Sequence, residues 1–275
     1  MQIGVFAKTF PGSNPDHVFE QCSRAGFTCV QYNMACSGLG SLPTIISADA
    51  IAEVQRAGRK HSITGVAISA TYNMADPDAA RRQVGREAFA TIARHAAEMG
   101  TNLLTVCSGS LDGENQWRHH RDNALPKSWD DMCREFETLL GIAEQHDVLI
   151  GVEPEAANIV NSSAKAADLL ETFRSDRLRI VFDPANLLEN VPTAHHRKTL
   201  DEAFDLLGPY IALAHAKDRF SDGGVAPAGK GVVDWDYVLG GLARIGFSGP
   251  LVAHGMTAKE APEVAEFLTQ CVARI

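Results

Sequence analysis

The sequence is poor in the features that direct proteins to nucleic acid. Its 25 Lys and Arg residues are outnumbered by 34 Asp and Glu residues, which gives a formal net charge of −9. Nucleic acids and anionic membranes both attract basic patches, yet the most basic stretch, WRHHRDN, is short. A function on DNA or RNA therefore fits poorly, and we expect no nucleic-acid partner.

Long apolar runs and paired cysteines are missing as well. No apolar run approaches the roughly 18 residues that suggest a membrane-spanning helix, and the opening MQIGVFAKTF lacks the charged-then-apolar order of a signal peptide. None of the six cysteines forms a CxxC pair or has the spacing of a zinc knuckle. We therefore expect a cytoplasmic protein, in a reducing compartment, with no membrane partner.

What the sequence does contain is a regular alternation of β-rich and helical segments. The expected strands are 3–6, 28–32, 63–69, 102–107, 148–153, 178–183, 210–217 and 251–254. The expected helices are 15–25, 48–61, 78–99, 128–146, 163–173, 199–207, 236–245 and 261–274. Asn14 and Pro15 suit the start of the first helix, and SWDD, from Ser128, is the pattern of a capping box.

This alternation predicts a single (β/α)₈ TIM barrel over residues 1–275. Strands that alternate with helices favour a parallel sheet with right-handed crossovers, and eight units of about 34 residues have the size of a closed barrel. The alternative is an open doubly wound sheet, which normally has a glycine-rich phosphate turn after its first strand. Here that segment is AKTFPGSNPD, without GxGxxG.

Four consecutive predicted strands end in a side chain that binds metals in other proteins. These are Glu153, Asp183, His215 and His254, separated by 30, 32 and 39 residues. In a barrel, the C-terminal strand ends share one rim, where active sites lie. Singly, each has a simpler explanation, such as a helix cap or a hydrogen-bonded core histidine. Buried together without a counter-charge they would destabilise the fold, so we expect a divalent cation among them.

The ligand types narrow the choice of metal. Two carboxylates and two imidazoles suit Mn²⁺, Co²⁺, Zn²⁺ or Fe²⁺ better than Mg²⁺ or Ca²⁺, which prefer oxygen ligands. With four protein ligands, positions stay open for a substrate hydroxyl and a carbonyl, which would be polarised together. We expect Mn²⁺ as the cofactor and a small carbohydrate as the partner molecule.

At these residues the chain resembles the xylose-isomerase-like barrel superfamily of sugar isomerases and epimerases. The segments VEPE, FDPANL, HAKD and GKGVVDW carry the resemblance, which covers nearly the whole chain. It implies that Glu153, Asp183 and His215 bind a divalent metal. In the epimerases of that family the fourth ligand is a glutamate on the eighth strand, and two glutamates act on opposite faces of the sugar. Here His254 stands at that place, and the nearest following carboxylate, Glu260, lies in the next helix.

The departure at His254 affects the acid–base chemistry that the resemblance implies. A neutral histidine binds metal, but a metal-bound imidazole does not also serve as the second acid or base. The candidates for proton transfer are therefore Glu153, Glu155, two residues further along the same strand face, and His120, in the long loop after the fourth strand. Lys217 is the candidate for stabilising an enediolate.

Further polar residues are candidates for binding the substrate: Trp117, Asn186, Asp218 and Lys230. Trp117 shares the long loop with His119 and Asn123, residues suited to stacking on a sugar and hydrogen-bonding it, although an ordinary solvated loop explains them equally well. Lys230 follows the seventh strand, where barrels often bind phosphate, although a solvated lysine is the simpler explanation. Asp218 is expected to orient a ligand.

The sequence leaves three functions open. The first is a sugar or sugar phosphate isomerase or epimerase, in which a base removes the proton α to a carbonyl. The second, favoured by His254, is a lyase that uses the same early steps for β-elimination on 3-keto-glycosides. The third is a non-catalytic sugar-binding barrel, because a fold proves no activity. Endonucleases also adopt this barrel, but a formal net charge of −9 fits a DNA-binding protein poorly. Homo-oligomerisation stays open.

Overall fold

The centre of the structure, a computed structural model that describes all 275 residues, is a closed ring of eight parallel strands. The chain forms nine strands: β1 (Ile3–Phe6), β2 (Cys29–Tyr32), β3 (Thr64–Ser69), β4 (Leu103–Val106), β5 (Leu149–Val152), β6 (Leu178–Phe182), β7 (Ile211–Arg219), β8 (Val225–Pro227) and β9 (Leu251–Ala253). All of them except β8 belong to the ring. β1 to β7 pair in sequence order, and β9 closes the ring by pairing with both β7 and β1. The predicted (β/α)₈ barrel is confirmed, and the open-sheet alternative is wrong.

The short strand β8 lies outside the ring. It pairs antiparallel with the end of β7, with Arg219 opposite Val225. This hairpin extends β7 past the other strands at the C-terminal rim, although the sequence pattern predicts no strand over residues 225–227.

Helices surround the ring and cover it with a large apolar core. They are α1 (Pro15–Arg24), α2 (Ala48–His61), α3 (Ala79–His95), α4 (Pro126–His146), α5 (Ser163–Phe173), α6 (Pro184–Leu187), α7 (His196–Leu207), α8 (Trp235–Arg244) and α9 (Ala261–Val272). α1 begins as expected, because Asn14 Oδ1 accepts hydrogen bonds from the backbone of Asp16 and His17. None of the helices combines the length and the apolar character needed to cross a bilayer.

Two predicted helix boundaries are wrong for identifiable reasons. α4 begins at Pro126, and Ser128 lies inside its first turn, where its hydroxyl donates to the carbonyl of Asp122 at 2.7 Å instead of capping the helix. α3 ends at His95, before a series of turns that leads to Gly100, whose φ of +93° favours glycine.

The barrel interior explains why the predicted ligands face inward. A small apolar cluster fills it nearer the N-terminal strand ends: Ala67, Leu103, Val181, Leu213 and Val252. Because side chains alternate along a strand, the residue two positions later points to the same side. Asp183, His215 and His254 stand at that position after the last three cluster members, so the polar site lies directly above an apolar floor.

Candidate active site

The structure brings the four predicted metal ligands together at the C-terminal strand ends. The ligand atoms of Glu153, Asp183, His215 and His254 all lie within 4.8 Å of one another. His215 Nδ1 is 3.0 Å from Glu153 Oε1 and 3.7 Å from Asp183 Oδ2. His254 Nε2 is 3.0 Å from that same Asp183 oxygen. Ligands about 2.0–2.2 Å from one ion are at most about 4.4 Å apart, so a small contraction would fit these residues around a divalent cation.

Gln31, which no sequence motif identifies, determines which nitrogen of His215 faces the carboxylates. Its Oε1 lies 2.7 Å from His215 Nε2, while its own amide donates to Thr105 Oγ1 at 3.0 Å. The amide oxygen therefore accepts a hydrogen bond from the Nε2–H of His215, and Nδ1 is the nitrogen left for a metal. The only sequence feature that points to Gln31 is that it is a polar residue inside the apolar strand segment CVQY.

Lys217 supplies positive charge inside the cluster. Its ammonium lies 3.2 Å from Asp183 Oδ2 and also donates to Asn186 Oδ1. Asn186 in turn donates to Glu153 Oε1 at 2.8 Å. The premise that the buried carboxylates lack a counter-charge is therefore wrong. The convergence of ligand atoms, and not an unbalanced charge, is what indicates a metal.

These contacts shift the pKa values of the cluster. Burial alone would raise the pKa of Asp183, but Lys217 and the two histidines hold that pKa well below its ordinary value. Burial alone would lower the pKa of His215, but Glu153 and Asp183 raise it to about 9. Burial and the neighbouring His215 lower the pKa of His254. An incoming metal ion would therefore displace a proton from His215.

Glu153, His215 and His254 line the base of an open cavity of about 510 Å³, and Asp183 lies fully buried behind them. This volume is within the range of about 300–1,000 Å³ that is usual for small-molecule sites. The side chains around its mouth include Phe6, Lys8, Ser41, Leu42, Gln116 and Trp117. Trp117, a predicted substrate-binding residue, is among them and is 51% exposed. Another cavity, of about 620 Å³ between α2 and the start of β3, has no cluster of metal-binding side chains.

Glu155 lines the same cavity beside Glu153, as their spacing along the chain predicts. Polar atoms of Cys107, Glu153 and Glu155 converge within 4.8 Å. Burial, and next the charge of Glu153, raise the pKa of Glu155 to about 8. The raised pKa favours the protonated form of this carboxyl, which faces the cavity.

The residue after His254 is constrained to be glycine. Gly255 has a φ of +74°, in the left-handed region that favours glycine. A Cβ at this position would come within 2.9 Å of Val225 on the hairpin and 3.0 Å of the Lys217 side chain. The absence of a side chain thus lets Val225 and Lys217 lie against the backbone of Gly255.

Two predicted site residues do not reach the cavity. His120 precedes the 3₁₀ helix Arg121–Ala124 and caps it, because its Nδ1 accepts from the backbone of Asp122 at 3.2 Å. Lys230 forms an ion pair with Glu263 on α9. Neither lines the cavity around the cluster, so the structure assigns both to local structure.

Asp218 is also turned away from the cavity. Its buried carboxylate accepts hydrogen bonds from the backbone of Gly229 at 3.1 Å and of Val233 at 3.0 Å, and from the indole of Trp235 at 3.0 Å. These bonds hold the segment GKGVVDW against the end of β7. Asp218 therefore anchors this loop instead of contacting a ligand.

The long loop after β4 is held in place by internal hydrogen bonds. The amide of Asn123 donates to the carbonyl of Ala157 at 2.9 Å, and its oxygen accepts from the backbone of Leu111 at 2.9 Å. Asn158 donates to the carbonyl of Gln116 at 2.8 Å. Asn123 is thus structural, and the ordered loop places Trp117 at the cavity mouth.

Comparison with known proteins agrees with this architecture. A family model described as "Xylose isomerase-like TIM barrel" matches residues 19–271, and no curated protein sequence matches significantly. A D-tagatose 3-epimerase-like protein superimposes with a TM-score of 0.78 at 17% identity, over 100% of this chain and 98% of its own. The apo form of the 3-keto-D-glucoside 4-epimerase YcjR from E. coli superimposes with a TM-score of 0.75 at 18% identity, over 98% of this chain and 100% of its own. The IOLI protein with a bound zinc atom superimposes with a TM-score of 0.74 at 20% identity, over 100% of this chain and 99% of its own.

Proposed function

The chain belongs to the xylose isomerase-like TIM-barrel family, and on that premise we propose that it is a divalent-metal-dependent isomerase or epimerase of a sugar or sugar phosphate. The observation that carries the proposal is the convergence of four ligand atoms within 4.8 Å at the base of an open cavity. Carbohydrate as the substrate class is supported by the names of two structural relatives, a D-tagatose 3-epimerase-like protein and a 3-keto-D-glucoside 4-epimerase.

Glu153, Asp183, His215 and His254 would hold the ion. This mixed set of oxygen and nitrogen ligands suits Mn²⁺, our first choice, as well as Co²⁺, Zn²⁺ or Fe²⁺. Structural relatives contain a zinc atom or magnesium, which supports a divalent cation here. When bound, such an ion supplies polarisation of a carbonyl and stabilisation of the negative charge that develops on its oxygen.

Glu153 and Glu155 would move the proton. Glu153 faces the cavity as a carboxylate that accepts from Asn186 and His215, and it would take the proton α to the carbonyl. Glu155, with its pKa raised to about 8, would return one. Because both come from the end of one strand, they act on one face of the substrate. Isomerisation between neighbouring carbons therefore fits better than an epimerisation that needs both faces.

Lys217, Asn186 and Trp117 would have supporting roles. Lys217 and Asn186 lie behind the ligands and fix the carboxylates of Asp183 and Glu153 through direct contacts. Lys217 does not line the cavity, so it would stabilise charge through Asp183 and not by touching the substrate. Trp117 presents an aromatic face at the mouth on which a sugar ring stacks.

A lyase acting on 3-keto-glycosides is the second candidate. The observation that favours it is again the one-sided placement of Glu153 and Glu155, since β-elimination needs one base and one acid. In this reaction Glu153 would remove the α proton, and Glu155 would protonate the departing oxygen as the bond to the β carbon breaks.

Metal analysis and proton exchange test the proposal. Protein purified after exposure to Mn²⁺ should contain one ion per chain, and EDTA should lower its Tm. In D₂O, incubation with a panel of aldoses and ketoses should place deuterium next to the carbonyl, whereas release of an aglycone from a 3-keto-glycoside would identify the lyase. Glu153→Gln should abolish exchange, while Lys230→Gln, away from the cavity, should not.

Two outcomes would contradict this assignment. If none of the four transition ions binds stoichiometrically and EDTA leaves the Tm unchanged, the metal site is refuted. If sugars bind to the metal-loaded protein without exchange or elimination, the chain is a binding protein.

A further inference from the structure

We propose that the substrate carries an anionic group, a carboxylate or a phosphate, which binds Lys8 at the outer end of the cavity. This inference rests on the proposed function, because it names the substrate class of the same site. It starts from a lysine at the cavity that neither the metal cluster nor the proton transfer uses.

Lys8 lies in the 3₁₀ helix Ala7–Thr9, directly after β1. Its ammonium is 3.5 Å from Ser41 Oγ, in the segment that follows β2. Six of the eight lysines in the chain have a carboxylate oxygen within 4.0 Å, and Lys8 and Lys259 do not. Lys8 therefore presents an uncompensated positive charge, with a hydroxyl beside it, to whatever enters the cavity.

Lys8 is also the only lysine or arginine that lines the cavity, where the carboxylate of Glu153 is among the other lining groups. A protein with a formal net charge of −9 repels an anion in solution, so a site for an anionic substrate needs a local cation. An ammonium with its three donors is a strong partner for carboxylate or phosphate oxygens. A neutral sugar has no need of such a charge.

The position of Lys8 indicates which end of the substrate it contacts. The metal ligands come from the ends of β5, β6, β7 and β9, whereas Lys8 and Ser41 follow β1 and β2. In the ring, β1 stands opposite β5, whose end leads to Glu153, and directly beside β9, whose end leads to His254. A substrate whose carbonyl and α carbon lie beside Glu153 would therefore extend across the cavity to reach Lys8. We infer a ketose or aldose with its anionic group remote from the carbonyl.

Three probes that differ only at the terminal carbon test this inference: D-fructose, D-fructuronate and D-fructose 6-phosphate. Their binding to the Mn²⁺-loaded and the metal-free protein is measured by calorimetry. At least one anionic probe should bind about tenfold or more tightly than D-fructose, the expected effect of a charge-assisted hydrogen bond. The comparison of the two anions distinguishes carboxylate from phosphate.

Lys8→Met should remove the advantage of the anionic probe, and Lys8→Arg should restore most of it. Lys259→Met is the matched control, because Lys259 is exposed, also lacks a carboxylate partner and does not line the cavity. It should keep the full preference. High salt should weaken the preference in the wild type and leave Lys8→Met unchanged. Equal melting curves for the variants confirm that each one folds.

The inference is overturned if neither anionic probe binds more tightly than D-fructose, or if Lys8→Met keeps the preference. Deuterium exchange into a neutral sugar without any preference for anions would overturn this inference and leave the proposed function intact. Lack of metal binding and exchange would refute the proposed function, while binding of the anionic probes through Lys8 could still be measured on the metal-free protein.

Discussion

Replacing Gln31 by leucine would test how the barrel selects the metal-binding nitrogen of His215. The substitution removes the acceptor 2.7 Å from His215 Nε2 and the donor 3.0 Å from Thr105 Oγ1, while an aliphatic side chain still fills the space. Without that acceptor, the neutral imidazole that remains once His215 loses a proton no longer favours the tautomer with its hydrogen on Nε2 and its lone pair on Nδ1. The free energy of metal binding then becomes less favourable, because it must also cover the selection of the tautomer and the ring orientation.

The expected loss follows from the burial of this contact. Gln31 is only 5% exposed, so water has little access to replace the lost hydrogen bond. Groups that hydrogen-bond a metal-binding histidine typically contribute about 10–100-fold to metal affinity, which corresponds to about 1.4–2.8 kcal/mol. Leaving His215 Nε2 and the Thr105 hydroxyl unpaired should also lower the free energy of unfolding by about 1–3 kcal/mol.

Titration calorimetry of Mn²⁺ into metal-free protein measures the first effect, and urea unfolding without metal measures the second. Gln31→Glu is the matched control, because it keeps an acceptor for His215 Nε2 and should retain most of the metal affinity. Thr105→Val removes only the outer hydrogen bond and should have a smaller effect. Metal affinity of Gln31→Leu within twofold of the wild type would refute the idea that Gln31 sets the tautomer.

Two further substitutions have expected outcomes. His254→Glu introduces the carboxylate that the family resemblance implies at this position. The added negative charge beside Asp183 should lower the Tm of the metal-free protein and strengthen Mn²⁺ binding. An unchanged Mn²⁺ affinity would show that residue 254 is not a ligand. Glu135→Leu leaves Arg82 and Arg86 without the carboxylate that they contact at 2.9 and 2.7 Å. Because these arginines are about a quarter exposed, we expect a loss toward the low end of the usual range, about 3 kcal/mol in urea unfolding; a loss below about 0.5 kcal/mol would show that water compensates.

The fold and the ligand set could be predicted because both depend on periodic patterns. Alternating strands and helices determine the barrel, and strand ends determine which side chains share its rim. The same rule, applied two residues further, places Lys217 on the same face of the strand as His215. The sequence could therefore have predicted that Lys217 balances the charge of Asp183. Gln31 is harder to find, because a single polar residue in a strand does not reveal its partner on a distant strand.

The loop residues could not be predicted, because side-chain hydrogen bonds to the backbone determine the path of a loop. His120 was expected at the cavity, but its ring nitrogen caps a 3₁₀ helix. Asp218 was expected near a ligand, yet three donors from the following segment surround it. Lys8 is likewise unpaired because no acidic side chain lies near it in the folded chain, and residue spacing in the sequence does not reveal this.

The contact between Lys217 and Asp183 has a consequence for how the protein acquires its metal. Because an internal cation already balances the buried carboxylates, the barrel needs no ion to close. The unfolded chain offers little competition for metal, since its ligands are at least 30 residues apart. Folding and metal loading are therefore separate events, and the ion stabilises only the folded state. A change in free metal concentration would alter how much of the protein is loaded while leaving the amount of folded protein nearly constant.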